Sequence, residues 1–527
     1  MKSLKYVLAI DLGTSGPKVA LISSEGEIIG QEVEKTALNV FDGGGAEQSP
    51  DDWWSASMSA TKKLLDKELV ARTDIVAIAC TGQWAGTVAL DKNGNHLMDA
   101  MIWFDSRGAS CIDEIIAGFP KISGYAFPKL RKWIKLTGGA PSRSGKDPIA
   151  HILYIQKHFP EIYKKTHKFL EPKDYLNYKL TGRMVSTYDT MALHWVTDNR
   201  DINNINYNEG LLKMSGLERE KLPDMINSTD VVGSITAKIA EELGLNPDVK
   251  VVGGTPDVQS ALIGSGTVRD YEVNLCVGTS SFISCHVPYK KIDLLHNIAS
   301  IPSGIPGRYF IANDQETAAV CLSFLKDNLF FPDDELSTTI PDEDIYKIFD
   351  KMVANTAVGS NNLIFTPWLY GERSPIDDHH VRGGFYNMSL ETTRRQMVRA
   401  VYEGVAYNSR WLFMYIEKFI NKKLEHINII GGGAKSAVWC QIFADVLGCK
   451  VRQVKNPRQA NAKGAAMLAL QGLGYATFQE VADKTEFTNI FEPNLENKKI
   501  YDKLFNEFVT IYKNNKQTYY RLNHQSL

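Results

Sequence analysis

Near the start of the chain an acid, two glycines and two hydroxyls stand between apolar residues, in the stretch "AIDLGTSGPKVALI" from Ala9 to Ile22. A glycine turn joining two strands aims backbone N–H groups at one point with no Cβ in the way, and such concave amide clusters hold anions, phosphate above all. Gly278, Thr279 and Ser280 repeat Gly13, Thr14 and Ser15 about half a chain length further on. A third glycine turn, Gly431 to Gly433 in "GGGAKS", opens a helix, where unpaired N–H groups meet the positive end of the dipole. Two carboxylates accompany the turns. Asp11 lies at the end of a strand beside the first turn, where it can hold Mg2+ largely through water. Asp257, in "GGTPDVQS", follows Pro256 at a helix start, where the dipole favours an ionised carboxylate and hence a base; a helix cap is the plainer alternative. Moving a γ-phosphoryl group onto a hydroxyl needs amide donors, a metal and a carboxylate near the attacking oxygen, and each has a candidate here. The common nucleotide motifs are absent: "GGAPSRSGKD" puts Asp147 after Lys146 where a hydroxyl is needed, and "GSGTVR" ends on Arg269.

The elements that must carry these residues are legible from pattern. Tyr6 to Ile10 and Lys18 to Ile22 form a hairpin, and "EIIGQEVE" continues it as a third antiparallel strand. "QSPDDWWSASMSATKKLLDK" is a helix capped by Ser49 with Pro50 in its first turn, and Trp53 and Trp54 anchor it to the sheet. "IVAIACTG" is a buried strand. Near Val251 the plan restarts: strand, glycine turn and helix, then "YEVNLCVGTSSFISCHV" as strand, glycine turn and strand. A long helix over "SLETTRRQMVRAVYEGVAYNSRWLFMYIEKF" leads to the strand "INII", the third glycine turn and a helix that stops at Gly448. A strand "CKVRQV", a small-residue helix "NAKGAAMLALQGLG" and an amphipathic helix from about Leu495 complete the chain. "NDQETAAVCLSFLKDNL" is read as a helix opening after Asn313, Lys18 as facing solvent, and "IDDHH" as a proline-containing surface turn rather than a metal cluster.

At 527 residues the chain is too long for one core, so two large domains with a cleft between them are expected. The 59 Lys and Arg nearly balance the 61 Asp and Glu, which excludes a nucleic-acid or other polyanion partner on charge grounds. The seven cysteines form no CxxC pair and fit reduced thiols of a cytoplasmic protein. No apolar run approaches the roughly 20 residues of a membrane helix.

On the turns and acids above, together with "TGQWAG", "WFDSRG", "YGERSPIDD", "RGGFYNMS" and "IIGGGAKSAVWCQIFADVLG" in order from Ala9 to Gly448, the chain resembles the FGGY family of carbohydrate kinases, and within it the xylulokinases. The resemblance implies an α/β architecture of two actin-like ATPase (ribonuclease H-like) domains with a cleft between them. Residues 1–264 would carry the sugar site and the base, 265–485 the nucleotide site, and 486–527 a helical extension packing back on the body. It implies ATP and Mg2+ as cofactors, a small-molecule sugar as partner, and a homodimer as one option with no interface legible in the sequence. Residue by residue, Asp11 would position the metal, and Gly13, Thr14 and Ser15 would face the transferred phosphate. Gly278 and Thr279 would bind the ATP phosphates from the other domain, and Gly432, Gly433, Ala434 and Ser436 would cradle the adenosine. Asp257 would be the general base, with Gln83, Trp84, Trp103 and Asp105 holding the sugar. The implied reaction is phosphorylation of a ketopentose, D-xylulose first. Its rivals are ribulose, glycerol, erythritol or a sugar acid, or an actin- or Hsp70-like ATPase with no sugar acceptor. Domain closure would hinge near Gly264 to Gly266. One departure stands out: where xylulokinases carry Gln-Met-His-Gly this chain has Gln83, Trp84, Ala85 and Gly86, so the family histidine is lost and Trp84 either stacks on a sugar face or fills space.

Overall fold

The computed structural model describes residues 4–332, 334 and 343–524. Its first sheet is built from β1 (Tyr6–Gly13), β2 (Gly16–Ser23), β3 (Ile28–Val33), β4 (Ile75–Gly82), β5 (Val231–Ser234) and β6 (Lys250–Pro256), in the order β5-β6-β4-β1-β2-β3. The hairpin β1–β2 and strand β3 run antiparallel, while β4 and β6 lie parallel to β1. A second sheet, ordered β8-β7-β9-β10-β11, uses β7 (Val273–Val277), β8 (Ser281–Ser284), β9 (His426–Ile430), β10 (Lys450–Val454) and β11 (Phe487–Phe491). Here too an antiparallel hairpin, β7–β8, sits beside two parallel strands, β9 and β10. The two Gly-Thr-Ser turns therefore occupy equivalent places in two sheets of one plan.

Period-2 alternation decides what each face of the first sheet meets. Leu8, Ile10 and Leu12 of β1 point to one side, where α1 (Pro50–Leu65) and α2 (Pro172–Thr181) share their core through Trp53, Met58 and Leu64 and through Tyr175 and Leu176. Ser49 caps α1 by accepting the N–H of Asp52, Pro50 begins it, and Trp53 is fully buried as the sequence predicts. Val7 and Ala9 point to the other side. That face is paved with small residues, Ala9, Ala20, Ala77 and Ala79, and is covered by the equally small α6 (Ala460–Gly472). Although α6 comes late in the chain it packs on the first sheet, and there it crosses α3 (Asp257–Gly264), the helix that follows β6. Small side chains on every surface let these backbones almost touch: a Cβ on Gly464 would stand 1.9 Å from Ser260 O, and one on Gly264 would stand 1.8 Å from Ala460 O.

The larger core lies under the second sheet. The 27-residue helix α4 (Arg394–Ile420), predicted from its apolar spacing, runs through it and is held by a Thr393–Gln396 capping box. Helix α5 (Ala437–Leu447) ends at Gly448 in the left-handed region, and α7 (Leu495–Asn523) packs back with Tyr501, Leu504, Phe505 and Phe508, the last against Trp368 and Trp411. Among the described residues no helix is long and apolar enough to cross a membrane. One expectation fails: the chain after Asn313 is not helical until Val320. Asn313 Oδ1 accepts the N–H of Ile283, and the backbone of Gln315 pairs with Ser281, so the segment is tied to the second hairpin before a helix can begin. The "IDDHH" segment is a turn, with Asp377 N–H on Arg373 O and Glu372 paired with Asp378.

In an ordinary helix Gly→Ala raises stability by up to about 1 kcal/mol. At Gly464 the sign reverses, because the new methyl meets backbone that cannot move without separating α3 from α6. Gly464→Ala is expected to cost about 2 kcal/mol or more and to lower the apparent Tm by several degrees in a thermal melt; an unchanged or raised Tm contradicts this packing.

Candidate active site

Strand register alone gathers the acids. Asp11 pairs with Thr81 on β4, and Thr81 with Thr255 on β6, so the three lie side by side at the carboxyl ends of three adjacent parallel strands. Ligands of open α/β sheets bind at this edge. Two residues beyond them come Gly13 on β1, Gln83 after β4 and Asp257 after β6. A bulge at Gly253 and Gly254 sets the end of β6; Gly254 takes φ +74°, and a Cβ there would stand 2.1 Å from Cys80 O.

Alternation then puts Asp11 on the face of Val7 and Ala9, toward α6 and α3. Asp11 is 1% exposed, and its partners are long: Lys18 Nζ at 3.3 Å from one oxygen and Asn461 Nδ2, from the first turn of α6, at 3.4 Å from the other. Lys18, expected in solvent, has a side chain 45% exposed, and its ammonium also reaches Asp11. It is the direct cross-strand partner of Asp11, a position fixed once Gly13 faces Gly16 across the turn. Asn461 lies 450 residues from Asp11, and only the fold unites them.

Asp257 occupies the first position of α3 with Pro256 as N-cap, and its Oδ1 accepts the N–H of Val258 at 2.8 Å. It retains a partly exposed surface. Burial, and then the charge of Asp11, push its carboxyl up to about 7, against the Val258 N–H at the helix start and the charge of Lys18, which pull the other way. Desolvation and a like charge outweigh the dipole.

The second hairpin faces the same carboxylate. Val258 and Ala261 of α3 pack against Phe282, Ile430 and Cys276. The Cys276 thiol, two residues before Gly278, is pushed up to about 12 by burial and then by the charges of Asp257 and Asp314. Gly278 and Ser280 close the turn, with Gly278 N–H on Ser280 O at 2.9 Å, and Thr279 is exposed at its tip, as Ser15 is at the tip of the first. The third turn lies against the second: Gly431, at φ +93°, would put a Cβ 2.5 Å from Val277 O, and Gly433 packs on the Val277 side chain, while Gly432 is open. Ser436 caps α5 and donates to Asp350 at 2.7 Å; Asp350 also accepts from Tyr402. Ala434 is buried, its carbonyl accepting from Gln453. The pattern of the sequence does not single out Asp350 or Gln453.

The segments after β4 and after the short strand Ala100–Met101 are tightly woven. Gln83 donates to Gln48 at 2.9 Å and meets the Thr14 hydroxyl at 3.4 Å, and Trp103 Nε1 donates to that same hydroxyl at 3.0 Å. Trp103 is nonetheless 43% exposed, so its ring face is free while its N–H is spent. Trp84 likewise spends its N–H on Thr190 O at 3.1 Å and tilts against Phe310, half-buried. Asp105 is fully buried, with its oxygens taken by Ala46 N–H and by the backbone and guanidinium of Arg107. Its charge holds Arg107 in place, and Arg107 also pairs with Glu47.

Comparison with known proteins bears on the family of the whole chain. Residues 6–264 match the N-terminal domain model of the FGGY family of carbohydrate kinases, and residues 273–473 match its C-terminal domain model. The chain is 29% identical to a xylulose kinase of Staphylococcus epidermidis and 28% identical to one of Bacillus subtilis, covering 97% of this chain in both cases and 97% and 98% of those proteins. The crystal structure of gluconate kinase from Lactobacillus acidophilus superposes with a TM-score of 0.85 at 25% identity, over 99% of this chain and all of that one.

A carboxyl that keeps its proton longer folded than unfolded makes folding less favourable as pH climbs from the unfolded value toward the folded one. Metal-free wild type therefore loses stability between about pH 4 and about pH 7, where Asp257→Asn does not. The Tm difference between the two should widen across that window and level off above it; a pH-independent difference contradicts the coupling.

Proposed function

The chain belongs to the FGGY family of carbohydrate kinases and is an ATP-dependent sugar kinase, and we propose that its acceptor is a ketopentose, D-xylulose first, giving D-xylulose 5-phosphate. The observation that carries the site is Asp257 at the cleft end of α3, electrostatically coupled to Asp11 on one side and within reach of the strand leading to Gly278 on the other. The choice of sugar is supported by the xylulose kinases among its relatives.

In this proposal Asp257 is the general base. A group titrating near neutrality matches the working pH, so its carboxylate can orient the sugar hydroxyl and take its proton late, as a loose transition state allows. The amides of Gly13, Thr14 and Ser15 face the transferred phosphate, and Gly278 and Thr279 hold the other phosphates from the opposite turn. Gly432, Gly433, Ala434 and Ser436 form the adenosine side, which the packing of Gly431 and Gly433 on Val277 keeps beside the second turn. The domains are taken as 1–264, 265–485 and a C-terminal extension 486–527, which begins with β11 in the second sheet and continues as α7.

For Mg2+ the donor set fits: Asp11 offers hard oxygens whose two protein partners are long and weak. When bound, Mg2+ supplies charge neutralisation at the phosphate oxygens. On the sugar side, Trp84 and Trp103 contribute ring faces rather than N–H groups, and Gln83 orders Thr14. Asp105 acts by fixing Arg107 rather than by touching the sugar.

A screen of ketoses, polyols and sugar acids for ADP release should give the largest kcat/KM with a ketopentose. ADP release indifferent to every sugar contradicts the kinase assignment, and a preferred sugar acid contradicts the ketopentose. Asp257→Asn should lower kcat by about 100-fold or more with ATP affinity near wild type; transfer at the wild-type rate removes Asp257 as the base.

A further inference from the structure

The second Gly-Thr-Ser turn has its middle carbonyl held by backbone: Ala318 N–H donates to Thr279 O at 2.8 Å. In the first turn the equivalent carbonyl, Thr14 O, accepts instead from a side chain, Gln48 Nε2, at 2.8 Å. Gln48 ends the short strand Gly45–Gln48 and is fully buried.

Its carboxamide has a single consistent orientation. Trp53 Nε1 can only donate, and it meets one end of the amide at 3.2 Å, so that end is the oxygen. The other end is then the nitrogen, which donates to Thr14 O at 2.8 Å and to Ala37 O at 2.9 Å, and carbonyls can only accept. Gln83 Nε2 gives the Gln48 oxygen a second bond at 2.9 Å, and Gln83 Oε1 accepts the Thr14 hydroxyl at 3.4 Å. Thr14 is therefore gripped twice, at its carbonyl by Gln48 and at its hydroxyl by Gln83 and Trp103. Thr14, Gln83 and Gln48 form a closed ring of bonds that all run one way.

The grip aims the turn. A planar trans peptide points its C=O and the following N–H in opposite directions. With the Thr14 carbonyl drawn inward to Gln48, the N–H of exposed Ser15 points outward, and no described residue accepts it. Resting on the sugar-kinase assignment, with the first turn facing the transferred phosphate, we infer that Gln48 is a positioning residue for phosphoryl transfer: by fixing the Thr14–Ser15 peptide plane it presents the Ser15 amide to that phosphate. Gln48 itself touches neither substrate. A donor aligned in advance on developing charge acts most in the transition state, so kcat rather than KM carries the effect.

Two substitutions break the bond to Thr14. Gln48→Met does so without adding charge, and Gln48→Glu keeps an acceptor for Trp53 and Gln83 while removing the donors. Both should lower kcat by about 10- to 100-fold, with KM for the sugar and Kd for ADP near wild type. Aluminium fluoride, a mimic of the transferred phosphoryl group, gives an equilibrium readout. With sugar and Mg2+ present it should tighten ADP binding in wild type, and by about 10-fold less in either variant. Leu64→Ala, in the same core as Trp53, controls for lost stability and should lower Tm with kcat unchanged. Gln48→Met at the wild-type kcat overturns the inference. So does equal weakening of ADP and of ADP with aluminium fluoride, the mark of a site loosened as a whole. Where neither Gln48 variant folds, Trp53→Phe, which takes one donor from Gln48 Oε1, should lower kcat by a smaller factor, and an unchanged kcat there is equally contrary. Wild type that releases no ADP with any sugar removes the sugar-kinase assignment itself, whereas full transfer by the Gln48 variants removes the positioning role alone.

Discussion

Two carboxylates brought together at the end of one sheet govern this structure. Like charges in a poorly solvated cleft repel, and nothing in the local sequence around either would place them so. What forces them together is packing of small residues. Alanines pave one face of the first sheet, and α3 and α6, with glycines at their crossing, settle against it closely enough for their backbones to meet. Asp11 projects from that face and Asp257 starts the helix that lies on it. Burial first, and then the charge of Asp11, raise the titration of Asp257, which suits its proposed role as a base working near neutrality.

The same crowding orders the opposite wall. Gly431 and Gly433 are glycines because Val277 leaves no room for a Cβ, so the third turn is pinned to the strand that feeds the second. Trp103 and Gln83 converge on the Thr14 hydroxyl, tying the first turn to segments that come after β4. The residues proposed to face phosphate and sugar are thereby held as one unit rather than as separate loops, which suits a reaction whose catalysis is mostly positioning.

Much of this was legible in the residues. Hairpins flanking Gly-Thr-Ser, the Ser49 cap, the break at Gly448 and the small-residue helix from Asn461 all follow from local rules that the tertiary structure does not override. Lys18 was within reach too, since a two-residue turn makes it the cross-strand partner of Asp11, but alternation viewed within one strand hides a pairing between two. Beyond local pattern, the sequence is silent. Asn461 meets Asp11 across nearly the whole chain, the titration of Asp257 depends on burial that no motif encodes, and the segment after Asn313 has a helical composition diverted by bonds to a distant hairpin.

The coupling of the two acids can be observed directly. With 13C-labelled aspartate carboxyls in metal-free protein, and Asp257→Asn to assign the resonance, Asp257 should titrate near pH 7 in wild type and at distinctly lower pH in Asp11→Asn. A midpoint in the ordinary aspartate range near pH 4, or one that does not move when Asp11 loses its charge, would show that the two carboxylates do not share a site.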